Sequence, residues 1–272
     1  MPIHLNFESL YSLAENNAKK YVSGEPFPHI YLDNVFPEDV LNKILTEFPS
    51  AEGIDWVKFN NPNERKLASR DEIQMGDTTR EFIHILNSKP FLMFLEKLTG
   101  IENLIPDPHL EGGGLHQILP GGLLKIHADF NKHSKTNLDR RLNLLVYLNK
   151  DWKEEYGGHF ELWDKNMTTS HVKILPIFNR IAIFSTTSDS FHGHPDPLIC
   201  PEDRSRKSIA LYYYTNGRPD NEVKEGLEKH STIFVNRAGQ NEILEYKENN
   251  IVKFIKLFIP PILLKIKQKF QN

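Results

Sequence analysis

Between residues 114 and 215 the chain is cut into apolar runs of the length strands use, each too short for a stable helix. They fall at residues 115–119, 123–127, 142–148, 159–163, 172–176, 181–184 and 208–215, with Gly121-Gly122 and Gly157-Gly158 marking turns or bulges between them. Closely spaced strands of this kind hide their apolar faces by stacking as two sheets or by closing on themselves. The preceding hundred residues read differently. After an extended run at 27–32, Pro37 with Glu38 and Asp39 opens an amphipathic stretch carrying Val40, Leu41, Ile44, Leu45 and Phe48. Residues 79–98 give a second helical pattern, interrupted at Pro90 and closed by Gly100. The expected fold is mainly β with flanking helices (α+β): a double-stranded β-helix, a cupin-like jelly roll, behind an N-terminal helical layer. Residues 1–100 are expected to support the core, 101–220 to form it, and 221–272 to pack beside it as a helical extension.

Composition narrows the function classes. The 272 residues are 25% charged with a net charge of −3, which leaves no basic footprint for nucleic acid. Cys200 is the sole cysteine, so no intramolecular disulfide forms, and a reducing compartment fits. The first residues lack a basic start and an apolar run, so the expected location is cytoplasmic. The segment 251–270 is rich in Ile, Leu and Phe, carries Lys253, Lys256, Lys265, Lys267 and Lys269, and is split by Pro260-Pro261. It has too many lysines to span a membrane. Short helices packed on the domain are the expectation, and peripheral membrane contact through 251–272 is the alternative.

The chemistry-bearing residues come in a fixed order. His127 and Asp129 lie two apart at the end of a predicted strand, so one face presents an imidazole and a carboxylate together. A second imidazole follows in Phe191-His192-Gly193-His194. His192 and His194 share a parity, so alternation cannot choose between them; the position of His192 near the preceding strand favours it, and Pro195 constrains the backbone at His194. Two imidazoles and one carboxylate leave coordination positions open and suit non-haem Fe(II) better than structural zinc. Arg206 then precedes Ser208, Ala210, Tyr212 and Tyr214 on one face of the last strand, where a guanidinium can grip a carboxylate with two parallel hydrogen bonds. Arg204 has the same parity and is its rival.

This ordered set resembles the 2-oxoglutarate- and Fe(II)-dependent dioxygenases of the prolyl 4-hydroxylase-like superfamily, over roughly residues 100 to 216. Particularly similar are Tyr147-Leu148-Asn149-Lys150-Asp151-Trp152 and Gly157-Gly158-His159-Phe160-Glu161-Leu162. The resemblance implies Fe(II) on His127, Asp129 and His192, and 2-oxoglutarate held at its far carboxylate by Arg206 and the hydroxyl of Tyr147. It further implies O2 as oxidant, ascorbate as an accompanying reductant, and decarboxylation to succinate coupled to hydroxylation of a prolyl residue, an amino acid, or a glycan or other small molecule. The segment from His192 to Arg206 is longer than in close relatives, with an insertion around 196–201, and the lysine-rich tail has no counterpart in the minimal core.

Gln117, Asn143 and Trp163 are candidate substrate contacts, each with a bland reading as a buried packing or hydrogen-bonding residue. His116, His133, His159 and His171 fit no second metal pattern. The competing reading of the whole is a non-catalytic, metal-binding cupin-like sensor or binding module.

Overall fold

The computed structural model describes residues 2–69, 71–219, 222 and 229–244; the basic tail expected at 251–272 lies outside the described residues. Helices come first, as the pattern predicts: α1 (Phe7–Val22), α2 (Glu38–Glu47), α3 (Asp77–Leu86) and α4 (Lys89–Thr99). The periodic run through Pro90 is two helices rather than one interrupted helix. Pro90 lies in the first turn of α4, where its missing N–H has no intrahelical partner to lose, and Gly100 ends that helix at φ 71°.

The strands are β1 (His29–Asp33), β2 (Val57–Asn61), β3 (Glu64–Ala68), β4 (Ile105–Pro106), β5 (Gly114–Ile118), β6 (Leu123–Ala128), β7 (Asp139–Tyr147), β8 (Phe160–Trp163), β9 (Ser170–Ile174), β10 (Arg180–Ser185), β11 (His192–His194), β12 (Arg206–Thr215) and β13 (Ile233–Phe234). All pair antiparallel in the order β1-β10-β7-β12-β5-β3-β6-β11-β8-β9, with β2, β4 and β13 attached at the side. The sheet curls until its two ends face each other. Tyr147 of β7 and Ala182 and Phe184 of β10 pack against Phe160 and Leu162 of β8 and Ile174 of β9, a cluster that closes the barrel interior.

Alternation decides which side chains reach that interior. On β7, Leu142, Leu144 and Val146 are fully buried against the helical layer, together with Ile181 and Ile183 of β10 and Ile209, Leu211 and Tyr213 of β12. Asn143, Leu145 and Tyr147 therefore point inward. The largest core thus lies outside the barrel, between sheet and helices, which frees the inner face for polar chemistry.

The first hundred residues give more to the sheet than their helical reading predicts. β1 extends one edge through β10, and the hairpin β2–β3 inserts β3 between β5 and β6. Glu64 and Lys66 of β3 hide the usual apolar-polar alternation because both face a polar cavity.

The helical layer is tied together by Glu47 at the end of α2. Its carboxylate accepts from the backbone N–H and hydroxyl groups of Thr78 and Thr79 at 2.7–3.3 Å, capping the N-terminus of α3. A side chain at Gly76 would collide with that carboxylate. Burial raises the Glu47 carboxyl, but the bonds from Thr78 and Thr79 outweigh it and leave the pKa lowered. Glu47→Ala should therefore cost about 1 kcal/mol in urea denaturation at neutral pH. Because the native pKa lies below the unfolded one, the gap between wild type and variant should be full above the unfolded carboxyl titration and close as pH falls through the native one.

Candidate active site

The register of β11 on β6 sets His192 opposite His127, with a register shift before His194 pairs with Leu124. Gly193 makes this approach possible: a Cβ there would lie 2.8 and 2.9 Å from the carbonyl oxygens of Leu124 and Lys125. The two imidazole centroids end 4.5 Å apart. Asp129 follows in the turn after β6, and ligand atoms of His127, Asp129 and His192 all fall within 4.8 Å of one another. His127 bonds through Nδ1 to the Lys125 carbonyl at 2.8 Å, and His192 through Nδ1 to the Ser190 carbonyl at 2.9 Å. Those carbonyls can only accept, so Nδ1 carries the proton and each Nε2 presents a lone pair. The Nε2 atoms stand 3.6 and 3.4 Å from Asp129 Oδ1 and Oδ2. Two imidazole lone pairs converging on one carboxylate are poor neighbours for each other and a good fit for a divalent ion such as Fe(II).

Asp129 is held by further side chains. Asn143 donates Nδ2 to its Oδ2 at 2.8 Å, and Arg140 donates Nε to Asn143 Oδ1 at 2.9 Å. Arg140 Nη2 closes the triangle at 2.9 Å from Asp129 Oδ2, a charge contact rather than an aligned hydrogen bond. The guanidinium is 1% exposed and lies between two rings, its carbon 3.5 Å from the Tyr212 centroid and 4.4 Å from that of Phe130. Burial pushes the Asp129 carboxyl up, but Arg140 and then His192 outweigh it and hold the group well below the usual carboxylate range. His127 is pushed down by burial and then by His192, which keeps its lone pair available.

At the other end of the same interior, Arg206 is 5% exposed and meets no carboxylate among the described residues. Its Nε donates to the Gly158 carbonyl at 2.9 Å, and its Nη2 lies 3.4 Å from the hydroxyl of fully buried Tyr147. Gly158 has φ +72°, and a Cβ on it would sit 2.5 Å from Leu198 and 3.1 Å from Cδ of Arg206, so glycine is required both for the turn and for the seat of the arginine. Burial pushes the Tyr147 hydroxyl up, with Arg206 opposing, and the phenol stays a donor. Arg204 instead donates to the Lys150 carbonyl and stands over the Tyr156 ring, away from the interior.

An inner pocket joins the His127, Asp129 and His192 side chains to Arg206, Ser208 and Leu145. A wider cavity of about 620 Å³ opens outward from His127 and Asp129 past Arg140 and Tyr212 to Phe59 and Lys66 on the β2–β3 hairpin. A third cavity, about 1110 Å³, shares no lining residue with either.

Of the candidate substrate contacts, Asn143 lines the inner pocket, though its amide is committed to Asp129. Gln117 lines neither cavity; it lies on the opposite face of β5 and donates to Ser205 Oγ at 2.9 Å. Trp163 also lines neither, because it packs with Ile126 and Met167 and donates its indole N–H to Glu161 at 2.9 Å. His116, one residue from Gln117, faces both cavities instead. Burial, then Lys66, brings its pKa down to about 3. Arg140 is the other residue missed by sequence reading: an arginine three positions before Asn143 shows its role only once the turn carrying Asp129 is in place.

Comparison with known proteins agrees with this arrangement. Residues 113–214 match the family model described as the 2OG-Fe(II) oxygenase superfamily. A prolyl 3,4-dihydroxylase of Ostreococcus tauri is 23% identical over 254 residues, covering 86% of this chain and 46% of that protein, so the chain spans about half the length of the curated relative it matches. Among solved structures, a prolyl-4-hydroxylase of Pseudomonas putida superposes with a TM-score of 0.55 at 13% identity, over 75% of this chain and 100% of that one. A prolyl hydroxylase from Trichoplax adhaerens, in complex with a hypoxia inducible factor peptide fragment, gives 0.53 at 17% identity, over 76% and 91% of the two chains. The chain thus shares the fold of these prolyl hydroxylases, and the span that matches the 2OG-Fe(II) oxygenase superfamily model, 113–214, is the one that carries His127, Asp129, His192 and Arg206.

Proposed function

We propose that the protein is a 2-oxoglutarate- and Fe(II)-dependent oxygenase that hydroxylates a peptide or small-molecule substrate. The observation that carries this reading is the sharing of one interior by an open three-ligand face and a buried guanidinium that has no acidic partner among the described residues. His127, Asp129 and His192 would hold Fe(II), which together with 2-oxoglutarate supplies dioxygen activation coupled to decarboxylation.

The chain's own work is binding, orientation and exclusion of water. Arg206 and the Tyr147 hydroxyl grip the distal carboxylate of the keto acid, a charge-assisted contact strengthened by burial. Asn143 and Arg140 fix the Asp129 carboxylate so that its lone pairs meet the metal at one angle. Leu145, Phe160 and Phe184 wall the inner pocket with apolar surface. The prime substrate enters by the wider cavity and meets the metal over His127 and Asp129. The prolyl hydroxylases among the relatives make a peptidyl proline the first substrate to try, with free amino acids and glycans next.

Anaerobic addition of 2-oxoglutarate to the Fe(II)-loaded protein should give the weak visible charge-transfer band of the chelate. The band should vanish in His127→Ala and weaken in Arg206→Ala; no band in wild-type protein shown to hold iron would overturn the proposal. Gly158→Ala should weaken 2-oxoglutarate binding by about tenfold, measured by titration calorimetry with Mn(II), because the new methyl group displaces the arginine while leaving the metal ligands alone. Asn143→Ala should lower metal affinity by about tenfold in a competition assay with a chelating dye.

A further inference from the structure

His194 is a buried polar side chain that the proposed chemistry leaves without a task. It is 3% exposed, and among the described residues neither ring nitrogen has a hydrogen-bond partner. An imidazole carries at least one N–H donor in every tautomer and charge state, so such a group buried alone costs free energy until something accepts from it. The other histidines of the interior are satisfied differently. His127 and His192 each spend Nδ1 on a backbone carbonyl, and His116 bonds the Gly112 carbonyl at 3.0 Å.

The location of His194 says what kind of partner it lacks. It lines the inner pocket with Arg206, Ser208 and Leu145 and does not line the wider outer cavity. Both imidazoles of β11 line this pocket, His192 as part of the three-ligand face and His194 outside it. Arg206 lines the same pocket and has no carboxylate partner among the described residues. A partner placed there has to accept a hydrogen bond and tolerate a guanidinium next to it, which describes a carboxylate.

We propose that His194 is a third donor to the distal carboxylate of the keto acid, beside Arg206 and Tyr147, and so sets selectivity for a dicarboxylic over a monocarboxylic 2-oxo acid. This rests on the 2-oxoglutarate reading of the same pocket. Gly193 serves it directly, since the close approach of β11 to β6 that needs a glycine also carries His194 into the barrel.

The test compares two ligands on one protein: 2-oxoglutarate, and 2-oxobutyrate, which keeps the chelating head and lacks the distal carboxylate. Both are titrated calorimetrically into Mn(II)-loaded wild type, His194→Val and His194→Asn. His194→Val should weaken 2-oxoglutarate by about tenfold or more and change 2-oxobutyrate by less than about twofold. His194→Asn, which keeps an amide donor near the Nδ1 position, should recover part of the loss. A general disturbance of the fold lowers both ligands alike, so equal losses would overturn the assignment, as would an unchanged 2-oxoglutarate affinity. Wild-type protein that holds Mn(II) and binds neither acid would instead overturn the 2-oxoglutarate reading itself, and His194 with it.

Discussion

The arrangement at the centre of the barrel depends on β11 lying in one register against β6. Three residues carry that pairing, and a one-residue slip would turn both of its histidines out of the interior. The pairing is short, so the hydrogen-bond ladder alone fixes it weakly. Contact supplies the rest: β11 also pairs with β8 through Leu162 and Glu161, and the His192 ring packs against Phe160 and Phe184 at centroid distances of 5.5 and 4.7 Å. Apolar packing in the barrel thus holds a polar ring where a metal can use it.

Electrostatics follows from that geometry. The interior contains half-buried Asp129 and buried Arg206, and each answers the problem differently. Asp129 is paired within the protein with the Arg140 guanidinium and accepts a hydrogen bond from Asn143, which keeps the carboxylate ionised and oriented. Among the described residues Arg206 hydrogen-bonds only to a carbonyl and a phenol, so much of its charge is left for a ligand. A site that satisfies one charge and withholds a partner from the other is prepared for a divalent cation at one end and an anion at the opposite end.

Much of this was legible in the sequence wherever period-two alternation applied. The inward set Asn143, Leu145 and Tyr147, and the set Arg206, Ser208 and Ala210, follow from parity against the outward Leu144, Val146, Ile209 and Leu211. Parity could not separate His192 from His194, because both do face inward; the cross-strand pairing of His192 with His127 is what brings it, and not His194, into the three-ligand set. Nor does it tell which face of β5 is inner, and the pocket position expected for Gln117 is held by His116. The hairpin β2–β3 was illegible for a physical reason. Strand prediction looks for an apolar face, and the inward face of β3 carries Glu64 and Lys66 because it borders a polar cavity rather than a core.

That hairpin divides labour within the molecule. β3 bridges β5 and β6 as part of the barrel wall, while Val57, Phe59 and Lys66 furnish the outer cavity. None of the proposed metal ligands lies on it, and neither does the arginine at the pocket floor. A lineage could therefore alter what enters the cavity by exchanging side chains on one local, early-sequence element while the proposed metal site stays as it is. The part of the chain that looks least like an enzyme would then be the part in which substrate preference is free to drift.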